Sequence, residues 1–521
     1  MVEFAEFDRL WRTWPWLPIT MAMAIVTTIA MVTHRKRTKI SLNFPPGPPK
    51  WPVVGCLPHL PFGPPPEVMF AKLAEKYGEL MLLWMGTRPY VVVSSARMAM
   101  AFLKTHDPEF ANRPVSVVRD YVSFKGNSII SMSASDPLYQ RLRRVFIVEL
   151  LSPKKIAAAR ELRKEQKMLK MLQAIRGELD ASDRVDFRKA VSTLGLNLSV
   201  CMIFGRHCGG KVVPKEIETL MFTFKKAVKL IQRINISDLL PSIRWLDIQG
   251  IEAELRDVEI QLRKCIMVLI EQKRLEMSSW SSSEIESGAN ERDIMSKLLS
   301  LEGEDRLNDD QQMGVVFALL IAGSDSISKG IGKAIEELLK HPLFHKRALD
   351  ELDEVVGRKR LVEELDIVRL PLIQNIIKET LRLHPPAQLL IPHGNLEPCE
   401  VAGFHIPARS SVLINLYALS RDPLFWDSPL EFFPDRFIGS NLTVLGNDFH
   451  YIPFGYGKRG CPGLNLGMTT LQYGLALCLQ CIDWRLSASS TVSETSVGSK
   501  DLPDLFVDGE LRVDPRLLDS L

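Results

Sequence analysis

The sequence predicts a mainly α-helical protein with a small β region, preceded by one N-terminal transmembrane helix. Three observations predict this fold class. Helical patterns fill most of the chain beyond Trp51, β-branched runs at 90–95 and 410–416 favour short strands, and residues 14–33 form an uncharged apolar run. A length of 521 residues alone suggests about two to four domains. No segment has the character of a domain boundary, however, so we expect one large domain at 53–521.

The composition is that of an ordinary globular protein and excludes several classes. Charged residues make up 24% and hydrophobic residues 46% of the chain, enough for a large core. The formal net charge of +3 is too small to indicate nucleic-acid binding. Eight scattered cysteines do not form a disulfide framework, so a reducing compartment is expected. Cys478 and Cys481 lack further zinc ligands nearby and are interpreted as two small apolar residues on a buried helix.

The N-terminal apolar run predicts a membrane anchor. Residues 14–33 carry no charge and are long enough to cross a hydrocarbon core of about 30 Å as a helix. A basic stretch at 34–39 follows directly, and acidic residues precede the run. Residues 1–13 are therefore expected in the lumen and the rest of this single-pass chain in the cytosol. A cleaved signal peptide fits poorly, because the run is too long, the charge order is reversed and no clear A-x-A site is present.

A basic and proline-rich hinge at 34–52 connects the anchor to the folded domain. Its "FPPGPPKWP" stretch, 44–52, favours an extended, semi-rigid spacer. The same stretch would suit a proline-binding module, but its position directly between anchor and domain favours the spacer.

The longest helical pattern is interrupted at its centre. Asn308 is a candidate N-cap with Gln311 three residues later, as in a capping box. Residues 315–322 are apolar on every side, which predicts a helix through the core. Gly323, Asp325 and Ser326 follow this apolar run. Glycine costs about 1 kcal/mol against alanine in a helix, and a buried aspartate costs more unless it is paired. These residues are interpreted equally well as a functional site or as a kink in the helix with a solvated aspartate.

A second predicted helix, 370–386, carries a possible charged cluster. Glu379 and Arg382 are three residues apart and share one face. As an exposed pair they would contribute under about 1 kcal/mol. Arg436, in the loop "FFPDRF", is a candidate third member.

The stretch "FGYGKRGCPG", 454–463, surrounds Cys461 with glycines and cations. Proline is favoured at the first position of a helix, so Pro462 predicts that Cys461 lies at or beside the N-cap of the next helix. The dipole and free amides there would lower the pKa of the thiol. The glycines permit close approach of something large and flat, and Arg459 and Lys458 offer cations to its acidic groups. These features favour a metal-bound thiolate under a macrocycle. A nucleophilic cysteine would need a nearby base, and a buried structural cysteine would explain neither the arginine nor the proline.

This stretch resembles the haem-binding loop of the cytochrome P-450 superfamily, F-x-x-G-x-R-x-C-x-G, at every defined position. "ETLR" is similar to the family's E-x-x-R, "FPDRF" to its P-E-R-F, and "AGSDS" to its A-G-x-D-T. Order and spacing agree from about Pro45 to the C-terminus. The anchor, the "PPGPP" hinge and "LRLHPPA" resemble the plant-type microsomal branch. The resemblance implies the cytochrome P-450 fold, one mostly helical domain with a small β region.

The resemblance also implies a cofactor, haem b (iron protoporphyrin IX), with Cys461 as the axial thiolate ligand of its iron. Arg143, Arg459 and His393 would bind the haem propionates, and Phe454 would shield the thiolate. The residues expected to bind the haem are Tyr139, Arg143, His393, Phe454, Arg459 and Gly463. Glu379, Arg382 and Arg436 would form a buried structural triad.

The resemblance places proton delivery on the central helix. Asp325 and Ser326 would relay protons to dioxygen, and a kink at Ala322–Gly323 would make room for it. The chain departs from the family pattern in three places. Ser326 replaces the usual threonine, Tyr139 and Gln140 replace a Trp-Arg pair, and Gly332 and Lys333 replace acidic and aromatic residues.

These observations lead to the hypothesis of a haem-thiolate monooxygenase anchored in the endoplasmic reticulum membrane. It would take electrons from NADPH through an NADPH-cytochrome reductase and insert one oxygen atom of O₂ into a small, largely apolar substrate of specialised metabolism. Substrate contacts are expected at 115–135, 317–322 and 387–392, although the leucines of 387–392 would equally suit the core. A basic face is either a reductase docking site or ordinary solvated charge. Its members are Arg141, Arg144, Lys154, Lys155 and Lys458.

Two alternatives remain open from the sequence. The same haem site would also serve an isomerase, dehydratase or oxime-forming enzyme. From a different class, the protein would be a non-catalytic haem or ligand binder, against which the intact Asp325 and Ser326 argue.

Overall fold

The structure is a computed structural model that describes residues 23, 26–27, 42–61, 63–124, 126–163, 168–182, 185–205, 215–283, 293–487 and 506–519. The predicted lumenal segment and anchor lie outside the described residues, apart from three isolated positions. The folded domain beyond the hinge is described over most of its length.

The described chain is mainly helical. The longer helices are α1 (Pro66–Tyr77), α2 (Leu169–Ser182), α3 (Phe187–Phe204), α4 (Lys215–Ile231), α5 (Ile251–Ser278), α6 (Asp309–Lys340), α7 (Pro342–Val355), α8 (Pro371–Leu383) and α9 (Leu464–Cys481). The shorter ones are Ala96–Met100, Asp107–Phe110, Val117–Val122, Pro137–Arg144, Pro153–Ala158, Arg160–Arg163, Ile236–Leu239, Ile294–Leu299, Leu416–Leu419 and Arg516–Asp519.

The predicted helix boundaries are set by local chemistry. Asn308 Oδ1 accepts from the Gln311 amide at 2.9 Å, and Gln311 Oε1 accepts from the Asn308 amide at 3.0 Å, which confirms the capping box of α6. Helix α8 begins at Pro371 and ends at Leu383, ahead of Pro385. Both helices therefore begin close to where the sequence predicts.

Nine strands form three small sheets in the described residues. They are β1 (Leu80–Met85), β2 (Arg88–Val93), β3 (Val185–Asp186), β4 (His393–Gly394), β5 (Cys399–Val401), β6 (Phe404–Ile406), β7 (Ser411–Ile414), β8 (Ile482–Leu486) and β9 (Phe506–Leu511). The sheets have the orders β1-β2-β7-β4, β3-β9-β8 and β5-β6. The two β-branched runs become β2 and β7, which pair in parallel with Tyr90 opposite Ser411.

The sheet edge leads directly to the candidate site. Strand β4 is antiparallel to β7, with His393 opposite Val412. On its other side Gly394 bridges to Ala111 and Asn112, and its amide donates to the Asn112 carbonyl at 3.0 Å. His393 is therefore held on a short edge strand against the chain segment that begins at 111.

Helix α6 forms the axis of the core. Its first half packs in one apolar cluster with α3, α4 and α5. Its second half packs in another with α2, α7, α8 and α9. Among the described residues, α6 is the one helix long and apolar enough to span a membrane, and most of its apolar window is buried inside the protein. This burial is typical of a core helix.

Candidate functional site

The loop before α9 is shaped by glycines. Gly455 and Gly457 have φ values of 68° and 69°, a left-handed conformation that other residues adopt only at a cost. A Cβ on Gly457 would lie 2.7 Å from Asp107 Oδ1 and 2.8 Å from the Leu103 carbonyl oxygen, so glycine is also required there by close packing. The loop closes on itself where the Cys461 amide donates to the Phe454 carbonyl at 2.9 Å.

Cys461 presents an exposed surface although it lies in a desolvated part of the protein. Burial raises the pKa of its thiol, and the Gly463 amide and the Arg143 charge oppose that rise without cancelling it. The predicted N-cap position is wrong. Helix α9 begins at Leu464 with Gly463 as its N-cap, so Cys461 lies two residues earlier. The expectation of a lowered thiol pKa is therefore wrong for the protein alone, because desolvation is the largest influence.

Phe454 and Gly463 flank Cys461 on the same loop. The Phe454 ring lies against α9, where a Cβ on Gly467 would approach it to 3.3 Å. A Cβ on Gly463 would lie 3.8 Å from Cys461 Sγ, an ordinary contact distance. Gly463 therefore leaves open one side of the sulfur.

The guanidinium of Arg459 donates hydrogen bonds to three backbone carbonyls. Nε donates to Ala111 O at 2.7 Å and Nη1 to Ile129 O at 3.1 Å, while Nη2 donates to Met132 O. Burial lowers the pKa of Arg459. The cysteine loop is thereby fixed to the segment 111–132.

Tyr139 supports the same loop from below Arg459. It is buried, its hydroxyl donates to the Lys458 carbonyl at 2.6 Å, and its ring centroid lies 4.3 Å from the Arg459 guanidinium carbon. A tyrosine hydroxyl has one hydrogen to donate. In this structure the hydroxyl hydrogen binds the Lys458 carbonyl of the cysteine loop. Tyr139 therefore supports this loop instead of donating to a haem propionate, as the sequence had predicted.

The buried His393 and the partly buried Arg113 lie near Arg459. His393 Nδ1 is buried and has no hydrogen-bond partner within the described residues. Burial, with Arg113 and Arg459 nearby, lowers the pKa of His393 to about 3. Burial and the Arg459 charge lower the pKa of Arg113 to about 9. Arg143 contributes its charge next to Arg459 and Cys461.

Sequence reasoning overlooked Arg113. Its signal is weak, because the residue stands in "FANRP" without a charged neighbour. We call Arg113, Arg143, His393 and Arg459 the cationic cluster. In the part of the chain that the structure describes, no ion pair joins any of them to a carboxylate. Asp107 acts on Arg459 only at longer range and accepts from the Lys458 amide at 3.2 Å.

These features fit haem. Partly buried arginines without an ion pair favour anionic partners, and the two propionates of haem are carboxylates. The orphaned His393 Nδ1 and the open Cys461 thiol supply a polar contact and a soft metal ligand beside them.

The second charged group is complete within the chain. Arg382 donates to both Glu379 oxygens at 2.8 Å, and Arg436 Nε donates to Oε1 at 3.0 Å. The Phe433 amide adds a bond of 2.8 Å to the same carboxylate. Glu379 and Arg382 are fully buried. The predicted triad is confirmed, and the exposed-pair interpretation is wrong.

The polar residues of α6 lie on an unbroken helix. The helix runs from Asp309 to Lys340 without interruption, so there is no break at Ala322–Gly323. The Asp325 side chain is 51% exposed and pairs with Lys329 at 2.6 Å. Ser326 Oγ donates to the Ala322 carbonyl at 2.7 Å.

Gly323 has a packing role as well. A Cβ at this position would lie 2.5 Å from Ser199 Oγ on α3. Helix α6 packs against α9 further along, where Gly330 meets Leu471. The α6 polar residues and the cysteine loop therefore belong to adjacent elements, but among the described residues no hydrogen bond or ion pair joins the two groups.

Fold and site together define a haem-thiolate protein: a mainly helical domain, a cysteine loop and a cationic cluster. The chain belongs to the cytochrome P450 family, whose model matches residues 45–500. It is an oxidoreductase of the monooxygenase type with a haem-thiolate cofactor. The plant-type branch is supported by the curated relatives.

Three comparisons illustrate the similarity. The chain is 35% identical to cytochrome P450 CYP736A12 of Panax ginseng, over 88% of this chain and 90% of that protein. It is 33% identical to the flavonoid 3'-monooxygenase of Petunia hybrida, over 86% and 87%. A solved zebra fish cytochrome P450 with progesterone matches with a TM-score of 0.70 and 23% identity, over 86% of this chain and all of that one. The last likeness concerns the fold.

Proposed function

We propose that this protein is a membrane-anchored monooxygenase that uses Cys461 as the axial ligand of its haem and oxidises a small, largely apolar substrate. The observation that carries the proposal is the open Cys461 thiol beside a cationic cluster that has no carboxylate of its own. The haem, when bound, activates O₂ so that one oxygen atom is inserted into the substrate and the other leaves as water.

The protein's own residues have separate tasks in this proposal. Arg143 and Arg459 hold the propionates by their charge, and His393 contacts them through its unpartnered Nδ1. Tyr139 fixes the cysteine loop through Lys458 O. Phe454 and Gly463 flank the sulfur.

Proton delivery is assigned to α6. Asp325 is half exposed to solvent and pairs with Lys329, so it would be the outer member of the relay. Ser326 holds its hydroxyl on the Ala322 carbonyl and passes a proton on when that bond is released. Gly323, which lies against Ser199 of α3, is expected to leave room for dioxygen.

The proposal extends to electron supply and location. Residues 14–33 anchor the protein in the endoplasmic reticulum membrane with the folded domain in the cytosol, and a reductase supplies electrons from NADPH. Of the expected docking face, Arg141 donates to Glu304 O at 2.9 Å and Arg144 pairs with Asp305. A docking role therefore rests mainly on Lys154 and Lys458.

The deciding experiment is the carbon monoxide difference spectrum of the reduced protein. We expect a strongly red-shifted Soret band in the wild type and in Cys399→Ser, a control at a half-buried cysteine of β5. Cys461→His should lose that band while keeping the fold. A wild type without the band, or a Cys461→His variant that retains it, would overturn the assignment of the ligand.

Two further measurements address the finer claims. Product analysis with isotopically labelled O₂ should find one labelled atom in the product, whereas none is expected from an isomerase or dehydratase. Deletion of residues 1–41 should release the protein from sedimented membranes, and continued sedimentation in high salt and carbonate would contradict the anchor.

A further inference from the structure

Helix α6 is buried along most of its length but has one opening near its centre. All 32 residues of the helix are described, and Ala322 and Asp325 are its exposed residues apart from Lys340 at its end. Ser326 and Lys329 follow at positions i+4 and i+7 from Ala322, so these residues share one helix face with Asp325. A solvent-accessible polar face therefore interrupts a core helix at the residues to which proton delivery is assigned.

The opening lies along the first turns of α9, the helix that follows the cysteine loop. Leu466 of α9 packs in the apolar cluster that contains the first half of α6. Beyond the opening, a Cβ on Gly330 of α6 would lie 2.4 Å from the Leu471 side chain of α9. The stretch 322–329 thus lies between two contacts with the helix that Cys461 precedes.

Both groups of the proposed relay are occupied in this structure. The Asp325 carboxylate pairs with Lys329 Nζ at 2.6 Å, and Ser326 Oγ donates to the Ala322 carbonyl at 2.7 Å. In the described chain no hydrogen bond joins the Asp325 carboxylate to the Ser326 hydroxyl. A proton therefore passes between them only after both bonds are released.

Lys329 is the lysine of α6 that serves Asp325. The other lysines in the second half of this helix, Lys333 and Lys340, bind the buried carboxylate of Glu336: Lys333 donates to its two oxygens at 3.2 and 3.0 Å, and Lys340 donates at 2.9 Å. Their ammonium groups are thereby held two to three turns beyond Asp325. The orientation of the Asp325 carboxylate therefore depends on Lys329.

We propose that Lys329 is a positioning residue for proton delivery: its ammonium group holds the Asp325 carboxylate in one position at the opening of α6, from which a proton passes to Ser326 when the two bonds are released. This inference rests on the proposed function, in which Asp325 and Ser326 deliver protons to dioxygen. Without the ammonium group the carboxylate would sample several rotamers, and its approach to Ser326 would no longer be fixed. Lys329 thus acts through Asp325.

The test uses dioxygen as the probe, so that no substrate needs to be known. With electrons from NADPH through an NADPH-cytochrome reductase, O₂ takes up two electrons and two protons to give hydrogen peroxide, or four of each to give two molecules of water. Slower proton delivery favours peroxide. The ratio of peroxide to water is obtained from the O₂ and NADPH consumed and the peroxide formed, after subtraction of the values for the reductase alone, and it does not depend on the haem content of a variant.

Three variants of the haem-loaded full chain are compared with the wild type. Lys329→Gln removes the charge and should raise the peroxide-to-water ratio about two- to fivefold, the range that the loss of one exposed ion pair allows. Lys329→Arg keeps a cation at the i+4 position and should restore the ratio to within about twofold of wild type. Arg176→Gln is the matched control, because Arg176 forms an i,i+4 pair with the exposed Asp180 on α2, and its ratio should equal that of the wild type.

The effect of Lys329 should depend on Asp325. The double variant Asp325→Asn/Lys329→Gln should show the same ratio as Asp325→Asn alone, because the effects of residues that act together are not additive.

A second readout does not require turnover. The infrared band of carbon monoxide bound to the reduced haem iron responds to charges close to it. This band should shift in Lys329→Gln and remain in place in Arg176→Gln. Lys329→Met provides a second uncharged variant if Lys329→Gln does not fold.

Several outcomes would overturn the inference. The role of Lys329 would be removed by an unchanged ratio in Lys329→Gln, an equal rise in Lys329→Arg, an unshifted infrared band, or independent effects in the double variant. Loss of folding in both Lys329→Gln and Lys329→Met would show that Lys329 is structural. A wild type without the red-shifted carbon monoxide band would instead remove the proposed function itself.

Discussion

Two buried groups of charge, both rich in arginine, differ in how their charge is balanced. The triad of Glu379, Arg382 and Arg436 contains its own anion, and every oxygen of Glu379 accepts at least one bond. The cationic cluster around Arg459 contains no anion in the described chain, and the nitrogen Nδ1 of His393 remains without a partner. The charge of the triad is therefore balanced within the folded chain, without a ligand.

The presence or absence of an internal anion distinguishes charged residues that stabilise the fold from charged residues that bind a ligand. A buried ion pair with satisfied hydrogen bonds requires no further charged partner. Replacing such a pair by apolar residues often does not reduce the stability of the fold. Burial first, and the charges of the neighbouring arginines second, lower the pKa values of His393 and Arg113. Such a cluster favours an anionic ligand, and in the proposed function that ligand is the pair of haem propionates.

The largest expected effect comes from breaking the triad. Glu379→Gln leaves two buried arginines without an anion and should destabilise the fold by about 3–5 kcal/mol. Glu254→Gln, at an exposed pair with Arg233, is the control and should cost under about 1 kcal/mol. Urea denaturation of both variants measures the difference, and equal midpoints would contradict the structural role.

Removing the central cation of the other cluster should weaken cofactor binding as well as the fold. Arg459→Gln loses a charged donor to three carbonyls and to the proposed propionate, and each bond to a charged group contributes about 1.5–3 kcal/mol. Haem loss to an excess of a scavenging protein should accelerate at least tenfold, roughly the equivalent of 1.4 kcal/mol. Arg97→Gln, at an exposed arginine paired with Glu79, is the control, and a rate equal to its rate would show that Arg459 is dispensable for haem.

The histidine of the cluster predicts a pH dependence. The folded pKa of His393 is about 3, below the unfolded value of about 6.5. Between these values the unfolded chain binds the proton and the folded chain does not, so stability falls as pH falls. The slope from this residue is at most about 1.4 kcal/mol per pH unit.

His393→Gln should therefore flatten the loss of stability between pH 6.5 and 5 in haem-depleted protein. Propionates bound beside His393, as proposed, would raise its pKa, so the flattening should be smaller in haem-loaded protein. Identical pH profiles for wild type and variant in both states would exclude His393 as the titrating group.

The smallest effect on stability is expected at Asp325. Asp325→Asn removes an exposed pair with Lys329 and should change the free energy of unfolding by less than about 1 kcal/mol. Its proposed task predicts instead a rise in oxygen consumed per product formed. Destabilisation comparable to that of Glu379→Gln would mean that Asp325 is structural.

Much of this arrangement was predictable because it depends on local patterns. The α6 capping box, the start of α8 and the strands β2 and β7 follow from residue types within a few positions of each other. The triad could be predicted because Glu379 and Arg382 share a helix face and Arg436 lies in a loop that resembles the P-E-R-F pattern of the family.

What the sequence did not show depends on tertiary placement. The Tyr139 hydroxyl is occupied by a carbonyl 319 residues away in sequence, and Arg113 binds Ile391, 278 residues away. The rise in the pKa of Cys461 comes from its surroundings and outweighs the neighbouring amide that sequence reasoning emphasised. Helix propensity also did not reveal that Asp325 faces outward.

The contact at Gly323 constrains how this sequence can change over evolutionary time. A methyl group there would meet Ser199 Oγ, which itself donates to the Gly195 carbonyl at 2.9 Å on the neighbouring helix. An alanine at 323 therefore requires the Ser199 hydroxyl to rotate away and lose its bond to Gly195, or a smaller residue at 199. The two positions, 124 residues apart, are therefore expected to vary together.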